Sequence, residues 1–378
     1  MIIGSISEDK SIEKRVAITP DVVKKYKSLG LEIHLTKGYG EHLGIYDKNY
    51  VSEGATILNT NKEVLKNSNV IIQMNIPSDE NLNNLKKEQI LIGVLNPYVN
   101  ENKLKEIKSK NVNCFSLELL PRITRAQSMD ILSSQANLAG YKAVIDSFAY
   151  FQKAIPMMMT AAGTISAAKV LVVGAGVAGL QAIATAKRMG AIVTAYDVRA
   201  ATKEQVESLG GKFLIVDEEA MKEAETSGGY AKEMTEDYKK KEQEVIKNHI
   251  KDQDIVITTA LIPGRPAPKL VTKEMVNSMR TGSVIVDLAV ETGGNCELAK
   301  RNEVVDANGV KIVGYDNLPG ELPKDASTLF AKNLLNFLSP HVNKESKSLE
   351  LDWEDETVKN TLVTKDGSVV NEIVKGVS

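Results

Sequence analysis

Cysteine is nearly missing from this 378-residue chain: only Cys114 and Cys296 occur, far apart and without metal-ligand spacing. That excludes a disulfide scaffold and a cysteine-held metal, and it makes a reducing cytoplasm the simplest compartment. Histidine is scarce as well. His34, His42, His249 and His341 lie in none of the motifs described below and read as structural. Neither sign of charge predominates, since 47 Lys and Arg against 49 Asp and Glu leave a net charge of −2. No electrostatic footprint for nucleic acid or for a membrane surface results. Long apolar runs are absent too. The longest weakly polar stretch, around Ala154 to Ala168, is broken by Pro156, Thr160, Gly163, Thr164 and Ser166. It falls short of the roughly 20 apolar residues that a membrane-spanning helix needs. The opening residues carry no basic leader followed by an apolar core, so neither a secretory signal nor direct membrane insertion is expected.

What is present is the balance of a globular protein, 43% hydrophobic and 25% charged, with length enough for two cores. Short apolar strands alternate with helical patterns from Met1 to Phe115, beginning with a strand at Met1 to Ser5 and a helix opened by Thr19-Pro20-Asp21. This predicts a parallel α/β domain without a glycine fingerprint. From Gln127 to Phe151 the apolar spacing is helical and suits a connector between domains. A second α/β domain follows, with strands expected at Lys212 to Val216, Asp254 to Ala260, Ser283 to Ala289 and Gly309 to Tyr315. The helical pattern at Leu329 to Leu338 is expected to pack back on the first domain. The expected fold is therefore two Rossmann-like parallel-sheet domains, the first formed by residues 1–132 and 318–378 and the second by 133–317.

The clearest motif opens that second domain. Val170-Leu-Val-Val enters Gly174-Ala-Gly176-Val-Ala-Gly179, an Ala-rich helix follows, and a strand at Ile192 to Tyr196 ends on Asp197. In such a unit the first glycine permits the tight turn, the second lets backbone approach a pyrophosphate, and the third lets the helix pack on the sheet. A carboxylate at Asp197 can accept both ribose hydroxyls of an adenosine and repels a 2′-phosphate, which favours NAD(H) over NADP(H). Arg199 stands close enough in sequence to screen such a phosphate. The segment Glu218 to Asp252 is heavily charged, reads as a solvated helical excursion, and holds Gly228-Gly229-Tyr230, a pattern that also suits a mobile flap.

A second candidate lies at Pro121-Arg122-Ile-Thr-Arg125-Ala-Gln127-Ser128-Met-Asp130-Ile-Leu-Ser133. Gln127, Asp130 and Ser133 recur every third residue, as on one helix ridge, and at a domain boundary that ridge is placed to meet the nicotinamide end of a bound dinucleotide. Thr124 with Gln127 also satisfies a capping box, and Asp130 suits a helix start, so spacing alone leaves both roles open.

Taken with TTALIPGRPAPKL, GGYAKEM and GSVIVDLAVETGGNCE, these strings give the chain a resemblance over nearly its whole length. It resembles the soluble NAD(H)-binding component of proton-translocating NAD(P) transhydrogenases, in the split form where that component is a separate polypeptide ending before any membrane helix. The resemblance implies that Arg122, Gln127, Asp130 and Ser133 hold the nicotinamide. It places cofactor contacts on Gly174, Gly176, Val177, Ala178, Gly179, Asp197, Val198, Arg199, Tyr230, Ala260 and Leu261. It further implies a homodimer, peripheral on the inner face of the membrane, that docks on an NADP(H)-binding domain of a beta subunit and on membrane-spanning subunits.

The same fold is similar to that of alanine dehydrogenases, which carry a Lys two residues before a Pro and a His after the next strand. Here those positions are Asn75, in Asn75-Ile-Pro77, and Asn96, in Leu95-Asn96-Pro97. Neither amide shuttles a proton near neutral pH. Arg15, of Lys14-Arg15-Val-Ala-Ile-Thr-Pro20, remains. The pattern suits direct hydride exchange between two nicotinamides better than amino-acid oxidation, with a non-catalytic NAD(H)-binding module as a further alternative.

Overall fold

The computed structural model describes residues 1–222, 224, 232, 234–262, 265–371 and 374. Two compact units are formed, one by Met1–Gln135 with Gly320–Ser378 and the other by Ala136–Pro319.

The first unit contains an eight-stranded sheet. Six strands, β1 (Ile2–Ser5), β2 (Glu32–Thr36), β3 (Thr56–Leu58), β4 (Val70–Asn75), β5 (Ile90–Val94) and β6 (Asn113–Ser116), run parallel in the order 3-2-1-4-5-6. This is the doubly wound arrangement, whose strand order reverses between β1 and β4. Two strands from the C-terminal segment, Leu362–Lys365 and Ser368–Val369, extend the β6 edge antiparallel. Because successive side chains of a strand face opposite ways, Ile72, Ile92 and Phe115 join one core while Ile71, Leu91 and Cys114 join the other. The first of these cores is closed by Phe330, Leu334 and Phe337 of the Pro323–Leu338 helix, and Trp353 stacks on Phe115.

The second unit repeats the plan. Strands β7 (Lys169–Val173), β8 (Ile192–Tyr196), β9 (Lys212–Phe213), β10 (Ile255–Thr258) and β11 (Val284–Asp287) are parallel, in the order 9-8-7-10-11. A hairpin, β12 (Val304–Ala307) with β13 (Val310–Val313), completes the far edge through β13. Val170 and Val172 face one core, Leu171 the other. A short hairpin, Met158–Thr160 with Gly163–Ile165, is exposed along its whole length.

The charged stretch after Glu218 is less solvated than its composition suggests. Its longest helix, Glu236–Ile250, is capped by the Thr235 side chain and buries Tyr238, Glu242, Ile246 and Ile250, one residue per turn. Tyr230 lies outside the described residues. Among the described residues, no helix is long and apolar enough to cross a membrane.

Candidate functional site

In the second unit the strand order reverses between β7 and β10, so the ends of these two strands form a switch point of the kind where open α/β sheets take ligands. β7 delivers Gly174 at φ +100°, and a Cβ there would sit 2.5 Å from Thr259 Oγ1. At Gly179 a Cβ would lie 1.8 Å from the Gly174 carbonyl oxygen, so the Val177–Arg188 helix presses directly on the turn. Gly176 differs. It has φ −76°, and among the described residues a Cβ there would meet nothing within 4 Å. The absence of a side chain at Gly176 therefore serves no contact with the described residues of the unit. It leaves backbone bare at a helix N-terminus, whose first N–H groups have no intrahelical partner and favour an anion. Val177, the first helical residue, is 37% exposed, and Ala178 follows in the same turn.

Across the switch point, Thr259 donates from its N–H to the Val173 carbonyl at 2.8 Å and from Oγ1 to that of Gly174 at 3.0 Å. The fully buried Asn295 pairs both main-chain groups of Ala260, accepting its N–H at 3.0 Å and donating to its carbonyl at 2.9 Å. Leu261, next in line, is 54% exposed. Sequence reasoning singled out neither Thr259 nor Asn295. The signal for Asn295 was the two preceding glycines, both at positive φ, with Gly294 so close to Asp287 Oδ2 that a Cβ would lie 2.7 Å from it.

Asp197, at the end of β8, is 7% exposed and fully engaged. Its Oδ2 accepts the Ala175 N–H at 2.8 Å and Arg199 Nη2 at 2.7 Å, and its Oδ1 accepts the Arg199 N–H at 2.9 Å and Nε at 2.8 Å. Val198 sits in the turn between them and packs partly buried against the core. Below it, the buried Tyr196 hydroxyl donates to Glu242 Oε1 at 2.6 Å and lies 3.1 Å from the Tyr238 hydroxyl. Burial raises the Glu242 carboxyl above its ordinary range.

In the first unit, Arg122, Gln127, Asp130 and Ser133 line a single cavity of about 290 Å³, together with Pro121, Ile123, Thr124 and Ala126. The shared helix ridge expected for Gln127, Asp130 and Ser133 does not exist. Gln127 lies in a 3-10 helix, Thr124–Met129, that ends before Asp130 and Ser133. The chain then breaks at Asp130 (ψ 97°), and the α-helix Ile131–Tyr150 begins. Asp130 caps it, accepting the Ser133 N–H at 2.9 Å on Oδ1 and the Ser133 hydroxyl at 2.5 Å on Oδ2. The expected capping box at Thr124 is not formed, since no side chain caps the 3-10 helix. Arg125 belongs elsewhere: it forks onto Asp355 at 2.7 and 2.8 Å, which holds the Asp355 carboxyl well below the usual carboxylate range. The loop is fixed from behind by Asn333 and Asn336, both donating to the Ser128 carbonyl at 2.8 and 2.9 Å.

At the switch point of the first unit's own sheet, Asn75 donates its N–H to Glu8 Oε1 at 3.1 Å and its Nδ2 to Glu13 Oε2 at 3.3 Å. Arg15 is committed to Glu13, with Nε and Nη2 bonds of 2.8 and 2.7 Å, and to Gln135 Oε1 at 2.9 Å. Asn96, at φ +45°, donates its N–H to Glu118 at 2.5 Å. Burial, reinforced by Glu13, pushes the Glu8 carboxyl up to about 7. Sequence reasoning missed this titratable group beside Asn75.

Both units carry the signature of one family. Residues 4–139 match the description "Alanine dehydrogenase/PNT, N-terminal domain" and residues 143–372 match "Alanine dehydrogenase/PNT, C-terminal domain". The chain belongs to the alanine dehydrogenase/PNT family. Among members of that family it is 53% identical to an NAD(P) transhydrogenase subunit alpha polypeptide of Rhodospirillum rubrum, over 100% of this chain and 99% of the relative. A solved structure of a transhydrogenase from Sinorhizobium meliloti is 45% identical with a TM-score of 0.86, covering 99% of this chain and 100% of that one. An alanine dehydrogenase of Methanococcus maripaludis is similar at 29% identity over 99% of this chain and 95% of its own length.

Proposed function

We propose that this chain binds NAD(H) and presents it for direct hydride exchange with NADP(H) held on a partner subunit of a proton-translocating transhydrogenase. The observation that carries this reading is the gathering of Arg122, Gln127, Asp130 and Ser133 around one cavity, in a family member whose Asn75 and Asn96 cannot transfer protons. The backbone at Gly176, Val177 and Ala178 receives the pyrophosphate, Asp197 the adenosine ribose, and Ala260 and Leu261 flank the dinucleotide. Arg122 and Gln127 orient the nicotinamide amide, while Asp130 and Ser133, locked by the helix cap, give that wall its rigidity. A dihydronicotinamide supplies a hydride that moves with its two electrons from one C4 to the other, and no O–H or N–H bond forms in that step. The chain therefore contributes positioning and exclusion of water.

Partner docking, peripheral membrane location and a homodimer belong to this proposal. The exposed hairpin, with Met159 80% exposed and the preceding Met157 62% exposed, supports a surface that is covered in the working assembly. Tyr230 is assigned to closing the site.

The test mixes the chain with an NADP(H)-binding partner and [4-²H]NADH. Deuterium should arrive on NADP(H) without dilution by solvent, and Gln127→Asn should slow transfer with NADH affinity largely kept. Absence of exchange, or label lost to water, overturns the reading and favours a binding module. One observation favours the amino-acid dehydrogenase alternative, the place of Glu8 against Asn75 at 3.1 Å, where burial pushes its carboxyl up to about 7. Against it, Arg15 already has a carboxylate partner. NADH oxidation by the isolated chain that depends on pyruvate and ammonia would establish that alternative.

A further inference from the structure

This inference rests on the dinucleotide reading above and concerns how the adenosine end is selected. An ionised carboxylate offers about four lone-pair positions, and at Asp197 protein donors occupy four. Each oxygen takes one main-chain N–H, from Arg199 on Oδ1 and from Ala175 on Oδ2, and one Arg199 side-chain bond, from Nε on Oδ1 and Nη2 on Oδ2. With Asp197 only 7% exposed, a ribose diol finds no acceptor position open while the guanidinium stays in place.

The two kinds of donor differ in how readily they yield. Both main-chain N–H groups are set by the backbone, Ala175 in the turn after β7 and Arg199 in the turn after β8, whereas the guanidinium rides on a rotatable stem. We propose that Arg199 is a displaceable latch on Asp197, and that it sets how sharply this chain distinguishes NAD(H) from NADP(H). Withdrawal of the guanidinium releases one position on each carboxylate oxygen, the number that a 2′,3′-diol requires. The displaced cation stays within a side chain's length of the ribose, where it offsets the repulsion between Asp197 and a 2′-phosphate. Arg199 thus opposes the diol and favours the phosphate. The discrimination expected from Asp197 alone is blunted on both counts.

The experiment measures NADH and NADPH dissociation constants of the full chain by nucleotide fluorescence, for the wild type and for Arg199→Ala, Arg199→Met and Arg199→Lys. Both neutral variants should bind NADH about 3- to 10-fold tighter and NADPH more weakly, widening the ratio at least about tenfold. Lys, a point charge without the fork, should fall between them and the wild type. Arg199→Met keeps the aliphatic stem and carries the same readout if the Ala variant fails to fold. Weakening of both nucleotides in parallel, or an unchanged ratio, overturns the latch. A wild type that binds no NADH overturns the dinucleotide reading itself, and the two failures are thereby told apart.

Discussion

A methyl group at position 176 should cost nucleotide and leave the fold alone, whereas the same methyl at position 179 should cost the fold. Gly176 has ordinary φ and open space where its Cβ would stand, so Gly176→Ala is expected to melt within about 0.5 kcal/mol of wild type while binding NADH much more weakly. At Gly179 the added carbon would meet a backbone oxygen at 1.8 Å, and Gly179→Ala should lose at least about 3 kcal/mol. Thermal melts paired with nucleotide titration separate the two. Glu8 provides a pH test. Its carboxyl is raised from 4.5 to about 7 in the folded chain, so its contribution is fully present below pH 4.5 and is lost as pH rises through about 7. Glu8→Gln keeps an acceptor for the Gln73, Met74 and Asn75 donors and should flatten the melting temperature between those limits. At this scale the sequence discloses what depends on backbone or on local spacing, such as the glycine turn and the acid at the end of β8. It conceals Arg199 on Asp197, because a pairing two residues apart in a turn has no periodic signature. Arg125 on Asp355 is hidden for the opposite reason, since 230 positions separate the partners.

Among the elements, the one whose start matters most is Ile131–Tyr150. Its apolar period is readable from the sequence, yet the helix begins at Ile131 and not at Gln127, because the Asp130 side chain takes the Ser133 N–H and closes the first turn there. Asp130 is thereby both cap and cavity wall, and substitution can divide the two roles. Asn caps as well as Asp, so Asp130→Asn should hold the melting temperature near wild type and slow hydride exchange, while Asp130→Ala should also lose about 1 kcal/mol. The Glu236–Ile250 helix shows the converse limit of sequence reasoning. Its charge count suggested full solvation, but a stripe of one residue per turn suffices to bury a face, and one of the buried residues, Glu242, is itself acidic.

Over the molecule as a whole, the α/β class and the parallel sheets follow from alternating apolar runs, and both sheets place β1 against β4 or β7 against β10 at their reversal points. The edge additions were not legible: β12 and the two C-terminal strands are short, half-polar and antiparallel, so they lack the continuous apolar run of a central strand. The proposed homodimer is tested at this scale too. Met159→Asp on the exposed hairpin should shift the chain toward monomer in light scattering without lowering the melting temperature, because Met159 is 80% exposed and supports no core of its own unit.

The first unit's sheet gains the two strands beyond β6 from residues 362–369, long after β6 has left the ribosome. Until then β6 waits with one rim unclaimed, while residues 136–319, a unit of their own, emerge complete. A nascent chain stalled once residue 319 has cleared the exit tunnel should therefore resist protease from 136 onward and be cut freely before it, and release of the full chain, which frees residues 362–369 from the tunnel, should bring the earlier residues under protection.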